Sequence, residues 1–132
     1  MGPVHVEHDL SGDPDAVFEW FVDPVLLTRW WPSEAETDPV VGGRYRMHWV
    51  GPDVTLRGEY VEVEPGERLR FTWHWDHDTQ LAPRGVDVVF AASARGTLVS
   101  VTHECGSEEE GVGYVDGWTH FLAQLGARIV AA

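Results

Sequence analysis

Two histidines, His8 and His103, fall in the apolar phase of alternating stretches. There, a side chain that titrates near neutral pH can act as acid or base on a carbonyl ligand. Glu104 and Cys105 follow His103 directly. Adjacent strand residues point to opposite faces, so Glu104 is not its direct partner. A histidine satisfied inside the core competes with the catalytic reading. His74, Asp76, His77 and Asp78 crowd together, as do His5, Glu7 and His8. Neither group has the fixed spacing of a zinc motif, so no metal is expected. Cys105 is the only cysteine and has no visible activating partner, so it reads as structural. All nine basic residues are arginines. The missing lysine excludes Schiff-base chemistry, a lysine-anchored pyridoxal cofactor and a P-loop, and no cofactor is expected. Arg44, Arg46 and Arg57 fall on two neighbouring strands, where they either pair with Glu59 and other acids or form an anion-binding patch.

Composition narrows the partners further. With 132 residues the chain is long enough for one domain with a real core, taken here as residues 1–132. A hydrophobic content of 43% with seven tryptophans rules out a disordered chain. The net charge of −13 repels phosphate backbones and anionic lipid, so neither nucleic acid nor a membrane surface is expected as a partner. No apolar run reaches the roughly 20 residues of a membrane span. MGPVHVEHDL lacks the pattern of a signal peptide, and with a lone cysteine the expected location is the cytoplasm.

The elements that must position these side chains follow from periodicity. Val4, Val6, His8 and Leu10 share one phase of a first strand. Asp13-Pro14 and Asp23-Pro24 each cap and open a short helix, the second ending by Pro32. From residue 34 the period becomes two: a short strand at 34–38, then Tyr45, Met47 and Trp49, then Val54 to Tyr60. A change of phase near Gly58 predicts a bulge or a bend in the strand. Leu69, Phe71, Trp73 and Trp75 form the cleanest apolar phase, and 76–84 reads as a polar loop. Val86, Val88 and Phe90 follow, then Val99, Val101 and His103. Tight turns between consecutive strands make them antiparallel. Residues 108–132 hold the only sustained helical period: Tyr114, Trp118, Phe121, Leu122, Leu125 and Ile129 make one apolar stripe. Glu108 to Glu110 read as acids favourable at its N-terminus. Gly113 and Gly117 are expected to let this helix approach the sheet closely, with His120 on its outer face.

These residues carry a resemblance. Val17-Phe18 with Asp23-Pro24, Arg29-Trp30-Trp31-Pro32 and Val41-Gly42-Gly43-Arg44-Tyr45 match in order. So do Gly58 with Glu62, Pro65-Gly66-Glu67-Arg68-Leu69, Phe71-Thr72-Trp73, Gly96-Thr97 and Gly117-Trp118 with Leu122 and Leu125. The chain resembles the SRPBCC superfamily, also called START-like or birch-pollen-allergen-like. Within it the nearest branch is that of the heat-shock-protein-90 ATPase activator homologues. The resemblance implies an α+β helix-grip fold: a curved antiparallel sheet of six to seven strands around a long C-terminal helix, with two short helices after strand 1. It also implies a cavity between sheet and helix. The in-phase residues Tyr45, Met47, Trp49, Tyr60, Phe71, Trp73, Trp75, Val88 and Phe90 would line that cavity, with His103 and Trp118. Such a lining suits a small hydrophobic or aromatic ligand. The superfamily offers two alternatives, a polyketide cyclase or hydratase using a pocket histidine and a co-chaperone-like protein-interaction domain. A homodimer is compatible with the family. The motifs are turns and core tryptophans, so they carry the fold and leave the ligand and any reaction open.

Overall fold

Both Asp-Pro pairs start helices by the same local chemistry in the computed structural model, which describes residues 2–131. The Asp13 side chain accepts from the Ala16 amide at 2.8 Å and opens α1 (Pro14–Val22). Asp23 accepts from Val25 and Leu26 and opens α2 (Pro24–Leu27). In each case the proline occupies the first helical position, where its missing N–H costs nothing. The strand β1 (Val4–Ser11) precedes them. After them come β2 (Glu34–Thr37), β3 (Arg44–Trp49), β4 (Val54–Glu64), β5 (Arg68–Trp75), β6 (Arg84–Ala92) and β7 (Gly96–His103). The long helix α3 (Glu108–Ala131) ends the order, with the Ser107 hydroxyl accepting from the Glu110 amide at its start.

The strands form one seven-stranded antiparallel sheet in the order β1-β7-β6-β5-β4-β3-β2. Sheet and helices together make the α+β helix-grip arrangement that the resemblance implies. The irregularity lies at Val61, between the pairs Tyr60–Phe71 and Glu62–Arg70, three residues beyond Gly58. Gly58 has a different duty. A Cβ there would sit 1.9 Å from the Thr72 carbonyl oxygen and 2.4 Å from the Tyr45 ring, whose hydroxyl donates to that same carbonyl.

The concave face is covered by two bodies. Phe18 and Phe21 of α1 meet Phe90 edge-on at 5.3 Å each, and Trp30 packs behind Phe21 with its indole N–H on the Trp20 carbonyl. The second half of α3 lies along β1. Its contact glycine is Gly126, where a Cβ would stand 3.2 Å from Leu10. Leu122 and Leu125 are fully buried there. Gly113 and Gly117 correct the expectation of close approach, since a Cβ on either would meet nothing within 4 Å. Among the described residues, no helix is long and apolar enough to cross a membrane.

Candidate functional site

The space opposite Gly113 and Gly117 is a cavity of about 730 Å³ between the first half of α3 and the ends of β3, β4 and β5. Its volume falls within the range of small-molecule sites. Trp31, Trp73 and Trp118 form its buried floor, and Trp49, Trp75, Tyr114 and Phe121 its walls. Pro52, Leu81, Ser107 and Glu109 are exposed at its rim, so it opens to solvent there. Trp31 joins floor to walls: its ring stacks on Trp73 at 5.8 Å and meets Trp49, Trp118 and Phe121 within 6.4 Å.

The sequence-predicted lining is divided by this geometry. Trp49, Trp73, Trp75 and Trp118 border the cavity. Tyr45, Met47, Tyr60 and Phe71 sit deeper along the sheet, around a void of only about 10 Å³ shared with Phe21 and Trp31. Val88 and Phe90 are buried away from the cavity, with Phe90 under α1. Alternation identifies the inward face of a strand, but α1, α2 and the turn after them fill much of that face with Phe18, Phe21, Leu27 and Trp30. Trp31, Asp78, Leu81 and Tyr114 are cavity residues outside the predicted set. Trp31 stands in a motif that reads as structural, and Asp78 and Leu81 in a loop without periodicity.

His8 and His103 lie on neighbouring strands, but His8 faces Val99 across the ladder whereas His103 faces Val4. Four strand positions, about 13 Å, therefore separate them. His8 is half-buried beside Gly126, at the far end of α3 from the cavity. His103 is fully buried behind the cavity wall, stacked on Tyr114 with centroids 3.6 Å apart. Its Nδ1 accepts from the Trp118 indole N–H at 3.0 Å, which leaves the proton of the neutral ring on Nε2. Burial, and then the nearby Arg84 charge, depress its pKa to about 3 against an opposing pull from Glu110. The imidazole is thus neutral throughout the physiological range. Its Nε2 and the Trp73 indole nitrogen are buried with no hydrogen-bond partner among the described residues. The two rings meet at 4.7 Å in an edge-to-face arrangement.

One acid of the glutamate run does more than sit at a helix start. Glu110 receives both arms of Arg84, at 2.7 and 3.0 Å, together with the Tyr114 hydroxyl at 2.9 Å and the Gly106 amide at 3.0 Å. The Arg84 hydrogen bonds are the main reason its pKa drops to about 2. Burial and the Glu110 bond push the Tyr114 phenol up. This cluster fixes the first turns of α3 to the start of β6 and holds Tyr114 flat against His103. Arg57 pairs with Asp76 at 2.9 Å, across β4 and β5, rather than with Glu59. Cys105 is buried, with its thiol toward the Gly2 carbonyl. Among the described residues, no three His, Cys, Asp or Glu side chains converge as a metal-ligand set.

The sequence profile of the activator of Hsp90 ATPase homolog 1-like proteins matches residues 12–129. Among solved structures, protein MLL2253 from Mesorhizobium loti superposes with a TM-score of 0.87 at 21% identity, covering 98% of each chain. Protein CV1439 from Chromobacterium violaceum gives 0.83 at 27% identity, over 96% of this chain and 95% of its own. The AHSA1 protein from Silicibacter pomeroyi gives 0.78 at 24%, over 98% of both. No curated protein matches the sequence.

Proposed function

The chain belongs to the family of activator of Hsp90 ATPase homolog 1-like proteins, and from that premise we propose that it binds a small molecule with an aromatic or broad apolar body in the cavity under α3. Fold and family are those of a ligand-binding domain, and the aromatic lining is the observation that carries the reading. Seven aromatic residues face a space of about 730 Å³ that side chains could have filled. Two glycines of the covering helix, Gly113 and Gly117, keep that space open. Glycine in a helix interior costs about 1 kcal/mol relative to alanine, so their presence favours space over stability.

Binding is a better account of this geometry than proton-transfer catalysis. His103 is shut off from the cavity by Tyr114 and Trp118, and with a pKa of about 3 it is a weak base near neutrality. Its neutral ring is suited to holding Trp118 in place.

The test is a titration with the neutral fluorophore N-phenyl-1-naphthylamine, run beside the variant Gly117→Leu. The added side chain projects into open space on the cavity wall, and leucine favours the helix by about 1 kcal/mol. Saturable fluorescence enhancement is expected for the native protein. Loss of that enhancement is expected for Gly117→Leu, whose melting temperature is equal or higher. Equal binding by both proteins would refute the placement of the ligand.

A further inference from the structure

The cavity's aromatic walls carry one sign of charge at the rim. Asp78, Glu109 and Glu110 are its only ionisable lining residues besides Tyr114, and among the described residues no arginine or histidine lines it. Glu110 is neutralised by its two hydrogen bonds to Arg84. Among the described residues no arginine or histidine pairs with Asp78 or Glu109, and both stand where the cavity meets solvent. The N-terminus of α3 also faces the rim and would favour an anion by itself. Its macrodipole amounts to roughly half a positive charge, however, and Glu108 and Glu109 in the same turn outweigh it. Below the rim lie the indole rings of Trp49 and Trp75 in the walls and of Trp118 in the floor. Indole faces are negative and attract cations most strongly among the aromatic side chains. Carboxylates above and indoles below therefore present a negative potential along the entry path.

Resting on the small-molecule reading above, we infer that the cavity selects a cationic amphiphile: an aromatic or apolar body seated on Trp31, Trp73 and Trp118, with an ammonium group at the rim between Asp78 and Glu109. A carboxylate-bearing ligand of the same shape is repelled at that position. The deep end complements such a body, since Trp31 and Trp73 offer stacked rings.

Three probes of one shape separate this inference from the reading beneath it: 2-(2-naphthyl)ethylamine, 2-naphthaleneethanol and 2-naphthylacetate. Each is titrated calorimetrically at about pH 8, where imidazoles are neutral and an alkylamine remains protonated. The amine is expected to bind at least about tenfold more tightly than the alcohol, and the acid most weakly. Added salt should narrow the difference. In the double variant Asp78→Asn and Glu109→Gln the ratio of amine to alcohol affinity should fall toward one. Asparagine keeps the Oδ1 acceptor that holds the Gln80 and Leu81 amides, so the loop is preserved. Alcohol or acid binding as tightly as the amine overturns the cation inference and leaves the apolar cavity standing. An unchanged ratio in the double variant overturns the role of these two carboxylates. No binding by any of the three refutes the aromatic-ligand reading and the inference with it.

Discussion

Acidification should destabilise this protein through His103. In the unfolded chain a histidine takes up a proton below about pH 6.5, whereas in the folded protein His103 does so only near pH 3. The unfolded state therefore binds more protons across that window, so stability rises with pH and is lost as pH falls from about 6.5 toward 3. The ring is completely buried, so solvent screening does not dilute the effect. At about 1.4 kcal/mol per pH unit, the loss between pH 6.5 and 4.5 is about 2 to 3 kcal/mol. For a domain of this length that lowers the melting temperature by roughly 6–9 °C. The assay is urea unfolding followed by tryptophan fluorescence at closely spaced pH values, with His103→Gln in parallel. Glutamine offers an acceptor to the Trp118 indole but cannot titrate. The variant loses stability at neutral pH with the stacking on Tyr114, and the informative quantity is the slope. Native protein should show the fall between pH 6.5 and 4.5, and His103→Gln should lack that share of it. Parallel curves would refute the assignment of a buried, neutral imidazole.

Two further perturbations probe the frame around the cavity. Glu110→Gln replaces the carboxylate that holds Arg84, Tyr114 and Gly106, and should cost about 2 to 3 kcal/mol at neutral pH by chemical denaturation. The native pKa of about 2 lies below the ordinary 4.5, so Glu110 stabilises above pH 4.5 and that contribution disappears as pH falls toward 2. The variant's stability should accordingly vary less over that range, and an equal acid limb in both proteins would count against the cluster. Gly58→Ala drives a methyl group into the Thr72 carbonyl and the Tyr45 ring, and should cost about 2 to 4 kcal/mol through overpacking and the lost tyrosine hydrogen bond. A loss below about 1 kcal/mol would show that the close approach relaxes easily.

The fold was readable because each of its elements repeats a simple local rule. Asp13-Pro14 and Asp23-Pro24 are complete start signals within two residues. The alternation from Leu69 to Trp75 and the stripe from Tyr114 to Ile129 each extend over several turns or pleats. The cavity was readable only by halves, because periodicity assigns a side chain to a face without saying what covers it. Trp73 and Val88 carry the same inward signal, yet Trp73 borders the open space and Val88 lies sealed in the core. That difference depends on where α1 ends and where α3 begins to lift from the sheet, both tertiary facts. The Arg84–Glu110 pair joins residues 26 apart in sequence, and neither has a local pattern to announce it. The glycines of α3 were legible as glycines but not in their purpose: Gly126 touches β1, while Gly113 and Gly117 touch nothing nearby.

That contrast divides α3 into two regions of different local stability. From Leu122 to Gly126 the helix is bound by buried leucines and a close backbone approach to β1, so the amides there belong to the more protected part of the helix. From Glu108 to Trp118 it spans a void and contains Gly111, Gly113 and Gly117. Its principal restraints there are the Arg84–Glu110 ion pair, the Tyr114–His103 stack and the Trp118–His103 hydrogen bond. The two halves of one helix are therefore held by different means, the second by packing on β1 and the first by side-chain links to Arg84 of β6 and His103 of β7.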